Sequence, residues 1–263
     1  MDLYATVRGA GTTAIVVMHG FTGGHRHGSF QRLLGWLADS FMVVAIDMRG
    51  HHFSQGRCTL GHLEAYDVDA AVRWARQLGA ERVFTLGFSL GSAAVLRHAA
   101  LSQPHIALPE FDRAISIENA PDGVISVGGV SRWFFRGSRP MWLMHWALAF
   151  PWGRAYVRNK MKVDVDLTTW PAEAHPRLHE IQPLDPRACV ATIAPTPLLI
   201  IQGEHDNYFP PEHGEKLYAA AQVPQHQAEY WFVSGMGQAQ NAITRDGVDQ
   251  LKQWVASHVR SGR

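Results

Sequence analysis

Apolar residues along this chain follow two rhythms. Short, unbroken, β-favouring runs stand at Ala14–Met18, Phe41–Ile46, Val83–Leu86, Ala114–Ile117, Pro195–Gln202 and Ala228–Val233. A strand covered on both faces of a parallel sheet shows no polar alternation, so the first three runs predict buried strands and the other three further strands. Between them, apolar residues recur at three- and four-residue spacing: Leu33, Leu34 and Leu37; Leu63, Tyr66, Ala70, Trp74 and Leu78; Ala93 to Ala100; and Val248, Leu251, Val255 and Val259. This spacing predicts helices, with a further one at 211–221 and with Thr59 as cap of the second. Strand, helix and strand in this order imply right-handed parallel crossovers and an α/β fold class, a mostly parallel central sheet flanked by helices.

The alternation breaks once. About eighty residues separate the runs at 114–117 and 195–202, far more than a crossover helix needs. We therefore expect a core of residues 1–120 and 190–263 and an inserted helical lid over 121–189. The insert holds Trp133, Trp142, Trp146, Trp152 and Trp170, five of the nine tryptophans. From Asp122 to Lys162 it carries seven basic residues against one acid. The aromatics would form either an apolar underside over a pocket or the lid's own small core. The basic residues would be either a solvated face or a preference for an anionic or carrier-bound acyl substrate.

Composition narrows the classes. With 263 residues, 46% hydrophobic and 18% charged, the chain is globular and long enough for one large domain. A formal net charge of +1 argues against a dedicated nucleic-acid binder. The start lacks the basic and apolar stretches of a signal peptide, and no run reaches membrane-spanning length. Cys58 and Cys189 are read as free thiols in a reducing cytoplasm. Oligomeric state stays open.

The chemistry gathers at Gly87-Phe88-Ser89-Leu90-Gly91, between a strand and a helix. Glycines on either side of Ser89 remove Cβ atoms where strand and helix approach. The corner exposes a hydroxyl at a helix N-terminus, whose free N–H groups can stabilise an oxyanion. A second glycine-rich loop, His19-Gly20-Phe21-Thr22-Gly23-Gly24, follows the first strand at the sheet edge where ligands bind.

With Asp47-Met48-Arg49-Gly50-His51 and Gly203-Glu204-His205-Asp206 in order around the elbow, the sequence resembles the α/β-hydrolase superfamily over essentially its whole length. It looks most like the lid-bearing esterases and thioesterases. The resemblance implies Ser89 as nucleophile, Asp206 as the acid orienting a histidine, and the N–H groups of Phe21 and Leu90 as oxyanion hole. It further implies His19, Gly20, Phe88, Trp133, Trp142 and Trp146 as substrate-binding residues. The expected reaction is hydrolysis of a small-molecule ester or thioester through an acyl-enzyme.

One position departs from the pattern. The superfamily's histidine follows the last strand in a Gly-x-Gly-His turn, which here reads Gly235-Met236-Gly237-Gln238. An amide cannot accept a proton near neutral pH, so turnover is expected to fall by on the order of 10³ to 10⁶. Three readings stand. Gln238 is an engineered replacement; or the chain is a natural non-hydrolytic member using the pocket for binding or another reaction; or a different histidine substitutes, with His51, His205 and His226 as candidates. His52 departs too, where glycine is usual after Arg-Gly-His, and is read as a surface residue. Fifteen histidines invite metal binding, but no zinc-type spacing occurs, and the glycine loops fit neither dinucleotide nor P-loop patterns. No metal or cofactor is expected.

Overall fold

The structure, a computed structural model, describes residues 1–103, 117–168, 184–238 and 242–260. A seven-stranded sheet is ordered β1-β3-β2-β4-β5-β6-β7. Its strands are β1 (Ala5–Arg8), β2 (Thr13–Met18), β3 (Met42–Ile46), β4 (Arg82–Phe88), β5 (Gly123–Val127), β6 (Leu198–Gly203) and β7 (Ala228–Val233). Only β1 runs antiparallel, on β3. It escaped the sequence reading because it is a half-buried edge strand without an apolar run.

Side chains alternate across each strand, so neighbours feed opposite cores. Val16 and Met18 join the layer of α2 (Glu64–Gln77), α3 (Leu90–Leu101), α6 (Pro186–Thr192) and α7 (Glu212–Ala220). Ile15 and Val17 join the layer of α1 (Gly28–Ala38) and α8 (Arg245–Arg260). In α1 the expected face is the buried one, formed by Phe30, Leu33, Leu34 and Leu37.

Two expectations are corrected. Helix α2 does not bury its Leu63, Tyr66, Ala70, Trp74 and Leu78 stripe. It buries Ala65, Val68, Ala71, Val72 and Ala75 together with Glu64, Asp67 and Asp69. Small side chains permit close packing on the sheet, and the acids are neutralised locally: Asp67 lies 2.7 Å from Arg49 Nη2, and Glu64 accepts from Thr59 and Gly61. Thr59 stands one turn ahead of the helix and accepts from Leu63 N–H, so it closes that turn without being the cap.

The sequence pattern also placed a strand at 114–117. Ala114 to Ser116 lie outside the described residues, and Ile117 belongs to no strand. Gly123–Val127 fills the sheet between β4 and β6, so a core strand lies beyond the expected boundary at residue 121. Gly123 is required there because a Cβ would stand 2.6 Å from the Phe84 ring.

The segment between β5 and β6 carries α4 (Arg139–Ala149), α5 (Pro151–Tyr156) and a π-helical turn (Val157–Met161). Its tail returns beside the loop after β3, with Asp164 N–H donating to Gly50 O and Cys58 N–H to Asp164 O. Leu148, Val157, Val163 and Val165 close over Cys58 as a small aliphatic core against which Phe21 and Leu90 pack. Trp170 lies outside the described residues. Cys58 and Cys189 are both buried and free. Among the described residues no helix is long and apolar enough to cross a membrane.

Two glycines test this packing in opposite directions. A Cβ on Gly91 would stand 2.5 Å from Met18 O and 2.7 Å from His19 O, whereas one on Gly35, inside α1, meets nothing. Gly91→Ala is expected to lower the urea-unfolding free energy by about 2 kcal/mol or more. Gly35→Ala should raise it by about 0.5–1 kcal/mol.

Candidate active site

Strand β4 ends on Phe88 and α3 begins on Leu90, with Ser89 at the corner between them. Ser89 has φ +54° and ψ −111°, a left-handed conformation that a side chain adopts only when its surroundings force it. Those surroundings are glycines. A Cβ on Gly87 would lie 2.2 Å from Gly91 O, so strand and helix touch backbone to backbone. Ser89 N–H donates to Val127 O of β5 at 3.0 Å, and its carbonyl accepts from Ser92 N–H, which leaves the side chain to face outwards. The hydroxyl makes no hydrogen bond among the described residues, and Ser89 is 7% exposed.

A cavity of about 680 Å³ lies over the carboxyl ends of the strands. Ser89, Leu90, Gly20, Phe21 and Gln238 line it from the core side, and Trp133, Arg132, Arg139 and His145 from the insert. Leu90 opens α3, so its N–H has no carbonyl four residues back within the helix. The carbonyl of Phe21 is held 2.7 Å from His51 Nε2. That contact fixes the loop at a residue that lines the cavity.

The loop is braced by buried neutral imidazoles. His19 Nδ1–H donates to Gly20 O at 2.7 Å, and its Nε2 accepts from Met48 N–H at 3.0 Å. Burial, then the neighbouring His51, lowers its pKa to about 3. Burial also lowers that of His51, whose Nδ1 faces Arg49 O at 2.9 Å. His52 takes φ +50° where glycine is usual, lies 3.0 Å through Nε2 from Gly23 O, and does not line the cavity. It pins the glycine loop, a role its half-exposed position alone did not reveal.

Asp206 stands in the turn after β6. Its Oδ1 accepts from Tyr208 N–H at 2.9 Å and Phe209 N–H at 3.0 Å. Its Oδ2 is buried and has no partner among the described residues. Burial raises this carboxyl's pKa, and the two N–H donors only partly offset that. Tyr208 and Phe209 also line the cavity, so the acid sits directly behind its wall.

The structure does not bring all expected residues together. Phe88 is fully buried and packs on Phe30 at 6.1 Å, because the strand turns it into the α1–α8 core. His19 is fully buried beneath the loop. Trp142 and Trp146 point away from the cavity, 52% and 45% exposed, since the inward face of α4 is taken by Met141 and Leu148. None of these four lines the cavity. Nor do the candidate substitute histidines. His51 is buried against carbonyls, His205 is exposed, and His226 precedes β7 at the opposite end of the sheet, 3.0 Å through Nδ1 from Ala221 O. His145 of α4 was missed, and it is the histidine among the described lining residues. Its pKa is lowered by burial and by Arg136. Its sole sequence signal is membership of the insert.

This sheet order, elbow and late acid define an α/β-hydrolase, and the comparisons agree. The sequence model of the Hydrolase_4 family, described as serine aminopeptidase S33, matches residues 10–231, and the chain belongs to that family. The match includes Ser89 and Asp206 and stops before Gln238. No curated protein matches the sequence. A monoacylglycerol lipase from Paleococcus ferrophilus is 18% identical with a TM-score of 0.65, covering 98% of this chain and 100% of that one. A lipase-esterase related protein from Clostridium acetobutylicum is 15% identical with a TM-score of 0.66, covering 95% and 98%. Est1E from Butyrivibrio proteoclasticus, solved with ferulic acid bound, is 16% identical with a TM-score of 0.61, covering 98% and 96%. At these identities the likeness is one of fold.

Two measurements follow from the electrostatics. His19 (about 3) and His213 (about 4, lowered first by burial) titrate well below the usual 6.5. Between those values and 6.5 the folded state binds fewer protons than the unfolded chain, so stability is whole above pH 6.5 and is lost as pH falls. Urea unfolding should show a loss of about 1.4 kcal/mol per pH unit for each such histidine, and His213→Gln should remove about one proton of that slope. Asp206 has the opposite sign. Its raised pKa makes folding less favourable once pH exceeds the ordinary value of 3.8. Asp206→Asn should therefore raise the thermal midpoint at neutral pH, and the gain should vanish as pH falls towards 3.8.

Proposed function

We propose that this chain carries the acyl-transfer scaffold of a serine ester or thioester hydrolase whose proton-accepting side chain is replaced by Gln238. Ser89 is its nucleophile, and the N–H groups of Phe21 and Leu90 are its oxyanion donors. The segment between β5 and β6 acts as its lid. The observation that carries this reading is the buried Oδ2 of Asp206, which has no partner among the described residues. In a serine triad that oxygen accepts the imidazole Nδ1–H. With no imidazole there, Ser89 keeps its proton and turnover is severely impaired, while oxyanion stabilisation and binding remain. An engineered replacement and a recent natural loss give the same chemistry.

Arg132 and Arg139 line the cavity mouth, and no carboxylate lines it among the described residues. This supports a small acyl substrate bearing negative charge; a carrier-bound acyl group is the larger variant of the same preference. Two buried free thiols fit a reducing cytoplasm.

A second reading rests on Gln238 itself. A natural non-hydrolytic protein would use the same apolar cavity for binding, or for a reaction needing only shape and oxyanion donors. Restoration separates the two. Turnover of short and medium p-nitrophenyl esters and of acyl thioesters is measured for the parent, Gln238→His and Gln238→His/Ser89→Ala. On the hydrolase reading, Gln238→His gains on the order of 10³-fold or more and the double variant loses it. An acyl adduct on Ser89 should appear by intact mass. If Gln238→His stays as inactive as the parent on all substrates, the pocket is a binding or non-hydrolytic site.

A further inference from the structure

The insert carries an outward aromatic surface that the core does not use. After Arg139, α4 has no charged residue to its end at Ala149. Met141 and Leu148 are buried, yet Trp142, Leu143 and Trp146 are 52%, 44% and 45% exposed. Phe150, Trp152 and Tyr156 continue the patch at 40%, 57% and 56%. Positions 139, 142, 143 and 146 fall on one helical stripe with Arg139 at its end, and Phe150 follows just beyond the helix. The rings of Trp146, Phe150 and Trp152 contact one another at centroid separations of 5.1–5.7 Å, so the patch is preformed. A helix apolar around its whole circumference is ordinarily covered, and contiguous exposed apolar surface marks an interaction site.

Charge selects the occupant. From Gly123 to Val163 the chain has no Asp or Glu, while Arg132, Arg136, Arg139, Arg154, Arg158, Lys160 and Lys162 make seven basic residues. Those at 158, 160 and 162 are exposed beside Tyr156 and Met161. A second copy docked through the same patch would oppose two basic surfaces, which is unfavourable. A lipid surface with anionic headgroups satisfies both features: tryptophan and tyrosine rings settle at the interface while Arg and Lys meet the headgroup charge.

We propose that the protein docks in the plane of an anionic lipid surface through Trp142, Trp146 and Trp152, with the surrounding basic residues on the headgroups. Leu143, Tyr156 and Met161 are exposed and also line the cavity, so docking sets the cavity mouth against lipid. An apolar ligand could then enter without crossing water. The inference does not depend on the hydrolase reading, since docking needs no turnover.

The test is co-sedimentation of the full chain with vesicles of phosphatidylcholine alone and of phosphatidylcholine mixed with phosphatidylglycerol, at low and high salt. Binding is expected to the mixed vesicles, weakening with salt and accompanied by a blue shift of tryptophan emission. Trp142→Ser/Trp146→Ser/Trp152→Ser should bind at least about tenfold more weakly. Arg158→Glu/Lys160→Glu, at two exposed positions, should lose the preference for anionic lipid, with circular dichroism unchanged for both variants. Absence of binding to mixed vesicles overturns the proposal. So does binding that the charge variant leaves intact at low salt, or a dimer in sedimentation velocity that the tryptophan variant dissolves and that does not bind vesicles.

Discussion

The contact between the backbone of α3 and the ends of β2 and β4 governs this molecule. Gly91 lies so close to Met18 O and His19 O that no side chain fits, and Gly87 lies as close to Gly91. This approach holds Ser89 at φ +54° and aims its hydroxyl out of the sheet. It also brings Leu90, the first residue of α3, beside the glycine loop after β2. A strained serine and the placement of Leu90 are therefore two consequences of one steric condition.

Around that contact the polar groups are treated differently on the two sides. On the glycine-loop side, His19 and His51 are buried and held neutral, and each bonds to backbone, so they serve as rigid braces and not as titrating groups. On the acid side, Asp206 keeps one oxygen satisfied by two N–H donors and the other buried without a partner. A carboxylate in that state is held less favourably than in water, as its raised pKa reflects. That state is the one the proposed triad role of Asp206 would use.

The insert inverts the usual placement of large apolar groups. Its interior is aliphatic and small, built from Leu148, Val157, Val163 and Val165 over Cys58, and it rests on Phe21 and Leu90. Its tryptophans, apart from Trp133, face outwards among the described residues. The same segment therefore touches the proposed oxyanion residues on one side and presents an aromatic, basic surface on the other. Any change in how that surface is covered would be felt at the cavity mouth.

Most of the sheet was legible because a strand buried on both faces must be written in unbroken β-favouring residues, as at 14–18 and 42–46. Ser89, Gly87 and Gly91 were legible because a backbone contact leaves no alternative to glycine. Gln238 stood out because its turn is local. Tertiary structure alone decided three things. It placed β5 at Gly123–Val127, a strand whose pairing with β4 and β6 the sequence pattern did not single out. It chose the acidic, alanine-rich face of α2 for burial, since Arg49 and the turn at Thr59 neutralise acids that spacing rules count as exposed. And it turned Trp142 and Trp146 outwards while bringing His145 to the cavity, because which face of an all-apolar helix is covered depends on what lies beneath it, and sequence periodicity in α4 carries no such preference.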